Sequence, residues 1–313
     1  MTILVSGAGL IGAHTARALL DQGTGVVLYD PGPSQSYIES VVGQDRKLFN
    51  VERGDVRDFP RLMDVVLRCG VTRLLLRAGL VGALATENPG LAFQVNVAGA
   101  LNLIEVARIR SLARIVILSS RHVYDGGDEP VGAGPIAEAE AGRPSTSFDA
   151  AYWAMAEIMA FAYQRLAGVN AIVCRPCATY GRGGEEAGEL GRAVTAAVAR
   201  AVKGERGIIL TLPSVEMVYA KGVAFALREA LFVEKPSSRV YNVGSGEVVS
   251  AADVTAAIVA AVPGAHVTGE AVPGAAPRVL DTTLAHRDLG YEARWPLARA
   301  IPDLVGELRQ FEP

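Results

Sequence analysis

Ile3-Leu4-Val5 is a short apolar run that leads directly into Ser6-Gly7-Ala8-Gly9-Leu10-Ile11-Gly12. Residues 13–20 then read as a helix, and Val26-Val27-Leu28-Tyr29-Asp30 as a second strand ending on a carboxylate. The order is strand, glycine turn, helix, strand, acid. Gly7 permits the tight turn, Gly9 lets a pyrophosphate approach the backbone, and Gly12 lets the helix pack close on the sheet. The helix opening at Leu10 and Ile11 offers free N–H groups and a positive dipole end to phosphates. Asp30 follows Gly12 by eighteen residues, near the roughly 20 expected of an acid that accepts the adenosine ribose hydroxyls. The ligand implied is a dinucleotide. A carboxylate at Asp30 repels a 2′-phosphate, so the cofactor read here is NAD rather than NADP.

At 313 residues the chain suggests one large domain plus a smaller lobe. Half of it is hydrophobic, a fifth is charged, and the net charge is -3. With no basic surplus, nucleic-acid binding is not expected. The start carries no charged leader, and a membrane span is not expected because no apolar run reaches about 18 residues. Three cysteines, Cys69, Cys174 and Cys177, fit a reducing cytosol, so the chain is read as cytoplasmic. Cys174 and Cys177 have CxxC spacing but sit at a strand end, where a redox dithiol is not expected. The four histidines are dispersed, and no metal site is read.

Apolar runs and helical stretches keep alternating beyond Asp30. Strands are read at 48–51, 73–76, 114–118, 170–174, 208–212 and 240–243. Helices are read at 34–43, 59–69, 88–107, 150–167, 190–203, 222–232, 251–262 and 301–311. Repeated βα units give an α/β fold, a doubly wound parallel sheet of Rossmann type with a smaller C-terminal lobe. The boundaries expected are 1–176 for the NAD-binding domain, with 215–244 returning to it, and 177–214 plus 245–313 for the substrate lobe. Residues 126–147 read as a surface loop beside the cleft, and the glycine-rich 181–191 as a flap.

Ligands of such sheets bind outside the carboxyl ends of the strands, at the switch in strand order. That rule selects the glycine turn, Asp30, Asp55-Val56, Arg77-Ala78-Gly79, Ser119-Ser120 and Arg175-Pro176. Asp55 is read either as the acceptor for an adenine amino group or as a cap for the helix at Phe59.

A set of motifs occurs in a familiar order: the glycine turn, Gly54-Asp-Val-Arg-Asp58, Asn88-Pro89, and Asn96-Val-Ala-Gly-Ala-Leu-Asn102. They continue with Leu118-Ser-Ser120, Val123-Tyr124, Arg175-Pro-Cys-Ala-Thr-Tyr-Gly181 and Tyr241-Asn-Val-Gly-Ser-Gly246. Together they resemble the extended short-chain dehydrogenase/reductase family, the NAD-dependent sugar epimerases and dehydratases, over nearly the whole chain. The turn departs from the family's usual GxxGxxG by being one residue shorter. The resemblance implies hydride transfer, with Ser120 hydrogen-bonding the reacting oxygen. The strand-end residues Val56, Arg77, Ala78, Gly79, Ser119 and Pro176, with Asn96, are read as cofactor contacts, and the resemblance implies a homodimer through helices 89–107 and 150–167.

The family's acid/base is a tyrosine in a Tyr-x-x-x-Lys pair, whose lysine lowers the phenol pKa from about 10. Here no register supplies the pair. Tyr152 is followed four residues on by Ala156, and alignment on Glu157 and Arg175 puts Asp149 and Trp153 at the two positions. The family's diphosphate-gripping arginine is Val215, its aspartate is Gly222, and its fourth-strand histidine is Arg77. Loss of a bidentate phosphate clamp weakens the case for a nucleotide sugar, unless Arg278 substitutes.

His122 is the natural titrating replacement, or a loop histidine bonded to backbone. Asp149 is a base, an orienting group for His122, or, like Ser147, a helix cap. Tyr152 remains a neutral donor. Arg121, Cys177 and Tyr180 border the expected substrate pocket, with packing the competing role for the last two. The leading reading is an atypical enzyme of specialised metabolism, oxidising, reducing or epimerising a hydroxyl or keto centre of a small molecule. A lyase using transient oxidation and a non-catalytic NAD-binding or sensing protein are the alternatives.

Overall fold

The computed structural model describes residues 1–43, 47–77, 79–125, 134–142, 147–183, 188–273 and 278–311. The opening motif folds as β1 (Thr2–Ser6), α1 (Leu10–Leu20) and β2 (Gly25–Asp30), followed by α2 (Gln35–Val42), β3 (Phe49–Arg53), α3 (Phe59–Arg68) and β4 (Val71–Arg77). Next come the short helices α4 (Ala83–Glu87) and α5 (Pro89–Phe93), then α6 (Gly99–Ile109), β5 (Arg114–Leu118) and the 20-residue α7 (Phe148–Ala167). Ser147 caps α7 by accepting Ala150 N–H at 3.2 Å, and Gly168 ends it in the left-handed conformation.

The second half runs β6 (Ala171–Pro176), β7 (Ala178–Tyr180), α8 (Glu189–Val202), β8 (Ile208–Pro213), β9 (Val215–Tyr219) and α9 (Ala220–Phe232). It continues with β10 (Val240–Val243), β11 (Val248–Val249), α10 (Ala251–Ala261), β12 (Val267–Val272), α11 (Thr283–Leu289) and α12 (Leu297–Phe311).

Seven strands form one sheet in the order β10-β6-β5-β4-β1-β2-β3, every neighbouring pair parallel. Strand order reverses between β1 and β4, so the crevice there opens beside the glycine turn. This is the doubly wound fold expected. Strands covered on both faces need apolar residues throughout, as in Leu74-Leu75-Leu76 and Ile115-Val116-Ile117, all fully buried. Leu75 and Val116 face a core with α1 and α9, whereas Leu74 and Ile115 face one with α3, α6 and α7. A third core joins α8, α10 and α12 to β8 and β9. β9 pairs with β7 and β11, and β8 with β12. α9 packs along α1.

The single helix read at 88–107 is interrupted. Residues Gln94–Ala98 form one π turn between α5 and α6, a local widening that side-chain periodicity does not announce. The whole run Pro89–Ile109 does have the length and apolarity of a membrane span, contrary to expectation, with 44% of its most apolar 18-residue window buried. Its buried residues Leu103, Ile104 and Ala107 pack on the sheet, the role of a core helix.

Candidate active site

The glycine turn has the geometry that its residues imply. Gly7 sits at φ +88° and donates its N–H to Tyr29 O at 2.8 Å. A Cβ on Gly12 would lie 1.9 Å from Gly7 O, so the helix reaches this close to the turn only because that atom is missing. Gly9 precedes α1 without a side-chain cap, leaving the N–H groups of the Leu10–Ile11 turn free for an anion. Asp30 closes the site: Oδ2 accepts Ala8 N–H at 2.9 Å and Oδ1 accepts Gly32 N–H at 2.8 Å. Its remaining lone pairs can still take ribose hydroxyls. Turn, helix end and acid fit a dinucleotide.

Beyond β3, Asp55 is held by Arg57, which donates Nη2–H to Oδ2 at 2.6 Å and both Nε–H and its backbone N–H to Oδ1. These bonds hold its carboxyl below the usual range. The helix cap is Asp58, accepting Arg61 N–H at 3.0 Å, which corrects the capping alternative for Asp55. Val56 lies under α6, where a Cβ on Gly99 would come within 2.4 Å of its side chain. After β4, Asn96 on the π turn accepts Gly79 N–H and Leu80 N–H at 3.2 and 3.0 Å and donates to Leu80 O at 2.6 Å. Asn96 therefore shapes that turn. Ala78 and the Arg77 side chain lie outside the described residues.

Ser119 at the end of β5 opens a buried polar network. Its hydroxyl donates to Glu157, which also takes Arg175 Nε–H at 2.9 Å and Nη2–H at 2.6 Å. Arg175 Nη1 continues to Tyr124 OH and Glu138 O, each at 2.9 Å. Tyr124 donates to Asn242, whose amide reaches Ile136 O and Asp281 O. Burial pushes the Tyr124 phenol up to about 12, against the pull of Arg175. In the sequence Arg175 reads as a strand-end cleft residue, whereas Glu157 serves only as an alignment mark. The available signal was Glu157 itself, the one charged residue of 150–163. Pro176 ends β6 in register with Val243.

The substitute acid/base candidates separate. Ser120 Oγ accepts His122 N–H at 3.2 Å, which leaves its own O–H to donate outward. His122 is 54% exposed and its Nδ1 pairs with Asp125 at 2.7 Å, so Asp149 does not orient it. Asp149 is not the cap of α7 either, because Ser147 is. Its Oδ2 accepts Gly82 N–H at 2.7 Å, while Oδ1 is buried with no partner among the described residues. Tyr152 turns away as a donor: its hydroxyl is tied to Pro89 O at 2.7 Å and its ring stacks on Phe148. Trp153, at the family's lysine position, is buried.

The expected substrate residues also divide. Arg121 makes no hydrogen bond or ion pair among the described residues, and its charge acts on Cys177 and Glu216. Glu216, overlooked in the sequence, is fully buried and accepts Gly246 N–H and Leu280 N–H at 2.9 Å. Burial raises its pKa. Cys177 is buried with its thiol pushed well above the usual value, and burial lifts Cys174 to about 12, so neither is a reactive thiol. Tyr180 packs against Tyr219 in the third core. Arg278 is not a free phosphate clamp: it grips Glu140 at 2.8 and 3.0 Å and donates to Gly134 O and Pro135 O. The described residues contain no cluster able to hold a metal ion.

Residues 3–244 match the model of the NAD dependent epimerase/dehydratase family. The chain belongs to that family. That family is NAD-dependent and belongs to the extended short-chain dehydrogenase/reductase class. Among curated proteins it is similar to UDP-glucose 4-epimerase of Erwinia amylovora, 36% identical over 42% of this chain and 40% of that one. It also matches UDP-glucuronate 4-epimerase 6 of Arabidopsis thaliana, 31% identical over 58% of this chain and 40% of that one. The match thus spans about two fifths of these relatives. Among solved structures, the Thermus thermophilus UDP-glucose 4-epimerase complex with NAD is 26% identical with a TM-score of 0.82, and 99% of each chain is covered. The Thermotoga maritima UDP-glucose 4-epimerase, at 20% identity and a TM-score of 0.83 over 99% of each chain, shares the fold.

Proposed function

We propose that this family member oxidises, reduces or epimerises a hydroxyl- or keto-bearing carbon of a small molecule, with Asp149 in place of the family's tyrosine as proton acceptor. The observation that carries the reading is Asp149 Oδ1, a buried acceptor with no partner among the described residues, at the position where the tyrosine is absent. An orphaned buried oxygen costs about 1–3 kcal/mol, a debt that a substrate hydroxyl bound there would remove. Ser120 donates to the reacting oxygen, and Asp149 takes the proton from it or returns it. NAD, when bound, supplies hydride acceptance and donation.

The named relatives act on UDP-sugars. Against a diphosphate-bearing substrate here stand Val215, which is apolar, and Arg278, whose donors are occupied by Glu140 and loop carbonyls. Arg121, with no hydrogen-bond partner among the described residues, favours a substrate with a single anionic group. The non-catalytic alternative is supported by Tyr152 and His122, whose polar groups are engaged elsewhere.

The test is Asp149→Asn. The variant should keep bound NAD while substrate-dependent change of nicotinamide absorbance falls about 10²–10⁴-fold, the usual worth of a general base. Turnover at the wild-type rate would remove Asp149 from the mechanism. A cofactor that cycles with no candidate substrate would favour the sensing alternative.

Assembly as a homodimer is part of the same reading. Leu91 and Phe93 of α5 and Phe148, Met155 and Ile158 of α7 leave apolar side chains exposed on two adjoining helices, a surface suited to a second copy.

A further inference from the structure

We infer that Arg182 is the cation that receives the diphosphate of the bound dinucleotide, an assignment resting on the NAD reading of the site. Arg182 is 5% exposed, and its Nε and Nη1 have no hydrogen-bond partner among the described residues. No carboxylate among the described residues pairs with it. Asp303 and Glu307 of α12 are paired instead with Lys221, at 2.5 and 2.9 Å. Buried guanidinium groups without a counter-ion are rare because an uncompensated charge inside a protein is costly. The working state therefore needs an anion.

The position of Arg182 names that anion. Residues 181–183 form a strap across the first turns of α1 and α2. A Cβ on Gly181 would lie 3.1 Å from Leu10, the first residue of α1, and one on Gly183 would lie 2.2 Å from the Tyr37 ring. Tyr37 of α2 donates its hydroxyl to the Arg182 carbonyl at 2.9 Å, and His14 of α1 lies close to the same group. The backbone is thus pinned beside the helix end whose free N–H groups fit phosphate. The guanidinium is held over Phe311 at 4.4 Å and Tyr37 at 6.0 Å. Aromatic faces position a cation without neutralising it, which leaves the charge for a ligand.

The experiment is a titration series of the full chain with NAD, ADP and adenosine, comparing wild type with Arg182→Met and Arg182→Lys. Arg182→Met should weaken NAD and ADP by about tenfold or more and leave adenosine unchanged, as for a lost charge-assisted contact. Arg182→Lys should recover part of the loss. The ligand-free melting temperature of Arg182→Met should equal or exceed that of wild type, because a buried unpaired charge has gone. Equal loss for adenosine and ADP, or a drop in the ligand-free melting temperature, would assign Arg182 a structural role and overturn the inference. Unchanged ADP affinity would overturn it too, with the NAD reading intact. A wild-type chain that binds neither NAD nor ADP would overturn both.

Discussion

Glu157 and Arg175 form a two-pronged ion pair beneath the candidate cleft, with Nη2–Oε2 at 2.6 Å and Nε–Oε1 at 2.9 Å. Their side chains are 5% and 4% exposed. Burial works against the Arg175 charge, and Glu157 with Tyr124 more than offsets it. Removing one partner strands the other charge, so Glu157→Gln or Arg175→Met should destabilise the fold by about 3–5 kcal/mol. Replacing both by apolar residues of similar volume should recover much of that. Urea unfolding of the two single variants and the double variant measures it, and additive losses would show the pair to be uncoupled.

Gly12→Ala tests the cradle by steric contact alone. With Gly7 O at 1.9 Å from the new Cβ, α1 must move away from β1 or the turn must open. Either change displaces the N–H groups that receive phosphate. Co-purifying nicotinamide should be lost and the melting temperature lowered. Retention of NAD at wild-type level would refute the close-packing account of Gly12.

His14 links stability to pH. Burial lowers its pKa below the ordinary 6.5, with Glu307 pulling the other way and Lys221 adding to the drop. The unfolded chain therefore binds a proton near pH 6.5 while the native chain does not. Stability is full above about pH 6.5 and falls as pH drops toward the depressed native value, then falls no further through this group. His14→Gln keeps a polar side chain of similar size and does not titrate, so its unfolding free energy should be flatter across that window. Parallel pH profiles for the two proteins would remove His14 as the cause.

Ile158 is 64% exposed on α7, facing solvent beside Met155. If that surface pairs with a second copy, Ile158→Glu buries a charge at the interface and should convert a dimer to a monomer by light scattering, with little change in monomer fold. A wild-type monomer would refute the proposed assembly.

The local chain determined the cradle and the sheet. Gly7, Gly9, Gly12 and Asp30 are legible because glycine spacing and a strand-ending acid report backbone constraints that neighbours in sequence impose. The parallel sheet is legible because strands buried on both faces must be apolar throughout. The absence of the Tyr–Lys pair is likewise a fact of sequence alone. Tertiary structure decided which candidates are free to act. Tyr152 and Arg278 have suitable chemistry, but Pro89 O and Glu140, distant in sequence, occupy them. By sequence Asp149 can be a base, an orienting group or a cap; Ser147 is the cap, and one Asp149 carboxylate oxygen has no partner among the described residues. Arg182 gave no sequence signal, since a surface arginine and a buried, unpaired one are written with the same letter. The difference lies in long-range packing of α1, α2 and α12, because partners and burial depend on which segments fold together.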